Sequence, residues 1–196
     1  MKLTKETRNL ILAMAIGDGN INNGCLFIVH CEKQKQYLDW KHELIKNISG
    51  KISRFINNGY VAYRFNTKRL TFLKQIKPYL YKQEKITPKI LNRIGVIGLA
   101  IWYMDDGSLI KKKRNGKIHA YELVLSTYFN SEEKANEIID WFKTKLNINF
   151  TVKRNKGKFS IRCGTSESRK FIQLIKPYVE KVGCFDYKID INLESG

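Results

Sequence analysis

Residues 11–19 read ILAMAIGDG, and residues 99–107 read LAIWYMDDG. Each is an apolar run that closes on a carboxylate and then a glycine. Such a run predicts a buried helix, and small residues let it pack closely on a neighbour. Ala13 and Gly17 stand four apart in the first copy, and Gly98 and Ala100 open the second. One copy alone describes a core helix ending in a turn. Two copies predict a pair of helices that meet, with Asp18 and Asp106 at their ends and Gly19 and Gly107 as left-handed caps. Two carboxylates near negative helix ends repel each other unless a cation sits between them. Oxygen ligands with open coordination suit Mg²⁺. A metal so held can activate water for phosphodiester hydrolysis.

The rest of the chain repeats around these motifs. CLFIVH (25–30) predicts a strand. Residues 33–48 predict a helix with Tyr37, Trp40, Leu44 and Ile48 on one stripe. KISRFI (51–56) and YVAYRFN (60–66) flank Asn57-Asn58-Gly59 as a hairpin, and 69–80 predicts a helix running into IKPYL. The second half repeats the order: YELVLST (121–127), a helix opened by Ser131, a hairpin of 148–154 with 158–164, and a helix running into IKPYV (175–179). The offsets are 106 − 18 = 88 between the aspartates, 141 − 40 = 101 between Trp40 and Trp141, and 177 − 78 = 99 between Pro78 and Pro177. The second half therefore carries an insertion between its motif and its Trp helix, assigned to a basic loop, IKKKRNGKIH (110–119). Each half reads as α-β-β-β-α or close to it. We divide the chain into an N-terminal half (1–84), a linker (85–95) and a C-terminal half (96–196), forming one pseudo-symmetric monomer, because a half this short is marginal alone.

The charge sets the partner class. Thirty-six Lys and Arg against 18 Asp and Glu give +18, spread along the chain rather than gathered in a tail. A polyanionic backbone bound through counterion release is the expected partner. No run approaches the roughly 18 apolar residues of a membrane span, and Asp18 and Asn20 break the one N-terminal stretch resembling a secretion signal. An intracellular protein with no membrane association is expected. The four cysteines form no C-x-x-C pair and are expected to be reduced and mostly in the core. His30, His42 and His119 have no counterparts in the other half, so no histidine triad is suggested.

With these residues in hand, the duplicated motif resembles that of the LAGLIDADG homing endonucleases, in particular their single-chain, two-motif branch. IKPYL, IKPYV and ELVLSTYFNSEEK (122–134) also resemble that branch, and the likeness spans nearly the whole chain. It implies an α+β fold of two αββαββα repeats about a pseudo-twofold axis, with two antiparallel sheets forming a saddle over DNA. It also implies Mg²⁺-dependent double-strand cleavage at a long asymmetric site. On this sequence it gives Asp18 and Asp106 as metal-binding catalytic acids. Asp105 then contributes from behind them or through the backbone. It further implies one basic residue per half near the acids, matched to Lys85 and Lys188.

Strand alternation supplies the expected DNA-facing residues. Arg64 and Asn66 share a face of one strand, Thr151 and Lys153 of another, and Lys158, Ser160 and Arg162 of a third. Such side chains suit major-groove base edges. Lys111, Lys112, Lys113 and Arg114 are expected to grip phosphates. The expected activity is a monomeric, intron-encoded DNA endonuclease. The alternatives are an RNA maturase, with intron RNA as partner, and a regulator that keeps the fold without catalysis.

Overall fold

A computed structural model describes residues 3–82, 85–155 and 157–191. Helix α1 (Lys5–Ile16) opens the first half, followed by β1 (Asn20–Asn22), β2 (Cys25–Cys31), α2 (Lys35–Leu44), β3 (Ser53–Asn57), β4 (Tyr60–Asn66) and α3 (Thr71–Lys82). The second half runs through α4 (Pro88–Asp106), β5 (Gly107–Arg114), β6 (Lys117–Phe129), α5 (Glu132–Leu146), β7 (Thr151–Asn155), β8 (Lys158–Gly164) and α6 (Thr165–Val182). Both sheets are antiparallel and share one strand order, β1-β2-β4-β3 and β5-β6-β8-β7. Each half is thus αββαββα.

The two motif helices pack against each other at the centre. In α1, every residue from Leu10 to Ile16 is buried; in α4, every residue from Gly98 to Met104 is buried. A helix apolar all round has no solvent face and belongs in a core. Local chemistry sets where the helices begin. The hydroxyls of Thr4, Thr87 and Ser131 accept from the backbone N–H three residues on, at 3.1, 3.3 and 3.2 Å. Pro88 then occupies the first turn of α4, where its missing N–H costs nothing.

The expected linker is helical from Pro88 and breaks at Gly95, whose φ of 62° and ψ of −170° interrupt α4. That backbone region is open essentially to glycine alone. A Cβ at Gly95 would meet no atom within 4 Å, so its role is conformational rather than spatial. Gly95→Ala is expected to cost about 1–3 kcal/mol of stability, read by urea unfolding; an unchanged midpoint would remove this role.

Three expectations are corrected. First, 110–119 is not a loop. It is the end of a long β5–β6 hairpin whose turn residues Asn115 and Gly116 have φ of 50° and 77°. A run of lysines carries no alternation to announce a strand, and β1 offers only Ile21 as an apolar residue, so both outer strands escaped the α-β-β-β-α reading. The hairpin strands exceed those of the first half by 8 − 3 = 5 and 13 − 7 = 6 residues, which locates the insertion. Second, Gly19 and Gly107 are not left-handed caps. Gly107 has φ −88°, and a Cβ there would fall 2.0 Å from the Tyr103 ring, while one at Gly19 would fall 2.4 Å from the Met14 carbonyl. These glycines are required for close approach. Third, of the four free cysteines only Cys163 is buried; Cys25 and Cys184 are half-buried and Cys31 is exposed. Cys31 lies on the outward face of β2 because its neighbour His30 takes the inward one.

Candidate active site and nucleic-acid interface

Asp18 follows the end of α1 and Asp106 closes α4, so the helix pairing brings the two acids to one end of the central pair. They are held differently. Asp106 accepts from the Thr127 hydroxyl at 2.8 Å, and that hydroxyl in turn accepts from Trp102 Nε1 at 2.6 Å. Asp18 is fixed through its backbone, whose N–H donates to Asp105 Oδ2 at 3.1 Å. The Asp105 side chain is fully buried and takes two hydrogen bonds from the equally buried Lys41 ammonium, at 2.7 and 2.9 Å. The repeat explains how it fits. Position 105 corresponds to 105 − 88 = 17, and a Cβ on Gly17 would lie 2.1 Å from Asp105 Oδ2. The glycine of one motif is the space that the other motif's carboxylate occupies.

The same ammonium donates to His30 Nε2 at 3.2 Å. A charged lysine has only donors, so Nε2 accepts and Nδ1 carries the proton, which it gives to Gln34 Oε1 at 3.0 Å. Burial, helped by Lys41, pushes the imidazole down to about 4, so it is neutral at pH 7. His30 Nδ1 stands 3.9 Å from Asp18 Oδ2.

Both expected acids are disfavoured as anions. Burial first, then the charges of Asp105 and Asp106, raises Asp18 to about 6 against the pull of Lys41 and Lys188. Burial also raises Asp106, although the Thr127 hydrogen bond opposes it. The expected lysines both stand near. Lys188 donates to the Met104 carbonyl at 2.7 Å and acts electrostatically on Asp18, Asp105 and Asp106; its own pKa is lowered by burial. Lys85 acts on Asp106, and both line a cleft of about 540 Å³ with Tyr81, Thr127, Tyr128 and Asn130. Asp18 opens onto a separate cleft of about 580 Å³ with His30, Gln34 and Tyr60.

The donor chemistry discriminates between two cation positions. Ligand atoms of Asp18, His30 and Asp105 lie within 4.8 Å of one another, but the Lys41 ammonium donates to His30 Nε2 and to both Asp105 carboxylate oxygens, and so already supplies the positive charge there. Asp18 and Asp106 are hard oxygen donors that reach solvent and carry unfavourable negative charge, which fits a small divalent cation.

Each sheet turns one face to the helices and the other outward. On the first, Arg64 and Asn66 are exposed opposite Val29 and Phe27, themselves 41% and 38% exposed. On the second, Lys112, Thr151, Lys153, Lys158 and Arg162 share the outward face, and Lys113 and Arg114 extend the β5–β6 hairpin past a register shift. Two residues expected to contact DNA are placed differently. Ser160 is 3% exposed, enclosed between β7 and the irregular stretch of β6 between Leu125 and Phe129, with its hydroxyl on the Lys153 carbonyl. Lys111 alternates to the opposite face and pairs with Asp190 at 2.7 Å.

Sequence reasoning missed Lys41, Thr127 and Glu122. Lys41 did leave a signal: it stands four residues after Tyr37, on the stripe expected to be buried. A lysine there requires an acid in the core. Glu122 and Thr127 lie inside an ordinary strand pattern and left none.

A duplicated αββαββα unit with an acid at the foot of each central helix defines a class of pseudo-symmetric, two-motif α+β proteins. The profile of the LAGLIDADG DNA endonuclease family matches residues 8–171, and the chain belongs to that family. It is similar to the DNA endonuclease I-ChuI of Chlamydomonas applanata, 26% identical over 217 residues, covering 96% of each chain. It is also similar to a protein RecA of Mycolicibacterium chitae, 24% identical over 96% of this chain; the chain spans about half (47%) of that relative's length. Among solved structures, the homing endonuclease I-WcaI bound to its DNA recognition sequence superposes with a TM-score of 0.76 at 24% identity, over 98% of this chain and 89% of that one. The meganuclease I-SmaMI bound to uncleaveable DNA gives 0.58 at 12% identity, over 94% and 89%. These likenesses share the fold.

Proposed function

We propose that this chain is a site-specific DNA endonuclease that cuts both strands of a long asymmetric site as a monomer, with a divalent cation, Mg²⁺, held by Asp18 and Asp106. The observation that carries this reading is the convergence of two motif acids, raised in pKa and flanked by Lys188 and Lys85, beside two sheets whose outward faces carry the cations. When bound, the cation neutralises charge on the phosphate and favours hydrolytic water.

The chain's own residues do the rest. Asp18 and Asp106 supply the carboxylate oxygens. Thr127 fixes the rotamer of Asp106, and the Lys41–Asp105 pair fixes the backbone of Asp18. Lys188 and Lys85 offset phosphate charge, each following the last helix of a repeat. Arg64, Asn66, Thr151, Lys153, Lys158 and Arg162 face the base edges, and Lys112, Lys113 and Arg114 hold phosphates. Because the two outward faces carry different residues, the site they read is asymmetric.

Cation binding must displace a proton from Asp18 below about pH 6. Mg²⁺ affinity is therefore expected to fall as pH drops from 7.5 to 5.5, with proton release on binding, measured by calorimetry in buffers of different ionisation enthalpy. Equal affinity and no proton release would count against Asp18 as a ligand. The function itself is tested by Mg²⁺-dependent cleavage of a randomised duplex library, with the cut ends sequenced. One long consensus supports the endonuclease. No cutting, with tight binding to structured intron RNA, would replace it by the maturase.

A further inference from the structure

Glu122 lies on β6, between β5 and β8, and alternation turns it to the outward face of the second sheet. Three cations from three other strands converge on it. Lys112 of β5 approaches Oε2 at 2.8 Å, Lys153 of β7 approaches Oε1 at 3.1 Å, and Arg162 Nη1 of β8 approaches Oε2 at 3.1 Å. The carboxylate is 8% exposed, whereas the cations are 46%, 30% and 42% exposed. Burial opposes its ionisation, but the Lys112 and Lys153 hydrogen bonds prevail and pull Glu122 down to about 2, so it is an anion at neutral pH. By charge alone a carboxylate on this face opposes phosphate.

The first half lacks this device. Strand register aligns Arg64 with Arg162 (162 − 64 = 98), Ser53 with Thr151 (151 − 53 = 98) and Val29 with Val124 (124 − 29 = 95). The residue matching Glu122 is then Phe27 (122 − 27 = 95). Arg64 instead rests over the Phe55 ring, 4.8 Å from its centroid, with Ser53 at 3.4 Å.

We propose that Glu122 is a positioning residue for base recognition, holding the Arg162 guanidinium so that its remaining N–H groups meet the paired acceptors of a guanine edge instead of swinging to a phosphate. Arg162 spends one N–H on Glu122, and its rigid fork keeps others for a bidentate contact. Lys112 and Lys153 balance the carboxylate and close the cluster on either side.

This inference rests on the DNA-reading function proposed above, and one experiment separates the two. A randomised duplex library is selected for binding without divalent cation, and the enriched sequences of the wild type, Glu122→Gln, Arg162→Ala and the double variant are compared. The wild type is expected to favour guanine at a defined position under the second sheet. Glu122→Gln should lower that preference about tenfold and leave positions under the first sheet unchanged, with the double variant no worse than Arg162→Ala alone. Unaltered base preference in Glu122→Gln, or an even loss at every position, overturns the positioning role. A wild type that enriches no sequence overturns the DNA-reading function, and this role with it. Glu122→Asp, which keeps the charge but retracts it, serves if Glu122→Gln fails to fold, and is expected to relax the same position.

Discussion

Asp18→Asn and Asp106→Asn are each expected to lower DNA cleavage by roughly 10²–10³-fold, the scale of removing one charge-stabilising group from an active site, while DNA affinity is retained. The substitutions are close in shape. Asp18 is anchored by its backbone N–H, which asparagine keeps, and an asparagine at 106 can still accept from Thr127. Stability is expected to move the other way. Asp18 titrates near 6 in the folded protein against 3.8 ordinarily, so the native state holds an extra proton between those values. Stability then falls as pH rises through that window and stays reduced above it. A neutral asparagine escapes this loss, so at pH 7.5 both variants should melt no lower than the wild type. Cleavage kinetics and thermal melts on the same samples check this. Full cleavage activity in either variant would remove that acid from the metal site; loss of activity together with collapse of the fold would mark it as structural.

Lys41→Met is expected to give the largest loss of stability, about 3–5 kcal/mol, the cost of leaving one partner of a buried ion pair uncompensated. Both side chains are fully buried, and Asp105 would lose the cation that balances its charge. Adding Asp105→Asn should restore much of the loss, because the amide oxygen still accepts from Asp18 and no buried charge remains. Urea unfolding of the two single variants and the double variant gives the coupling. Additive losses would mean that the pair does not act as a unit. Since this pair spans the two halves, the rescued double variant also asks whether the Lys41 charge is needed for cleavage once the fold is secure.

The repeat, the helix pair and the two motif acids were legible because each rests on local pattern: an apolar run needs burial, and its duplication needs a partner. Lys85 and Lys188 could be named only through family likeness, since nothing local distinguishes one lysine from another in a chain of charge +18. By itself the sequence determined which segments are buried and which strand residues alternate outward, because backbone propensity and hydrophobic periodicity act over neighbours. Only the tertiary structure decided that Lys41 of α2 neutralises Asp105 of α4, that Thr127 of β6 seats Asp106, that Glu122 gathers cations from three strands, and that Ser160 and Lys111 are withdrawn from the outward face. Electrostatic and hydrogen-bond partners are chosen by distance in space, and the packing of residues far apart in the chain sets that distance.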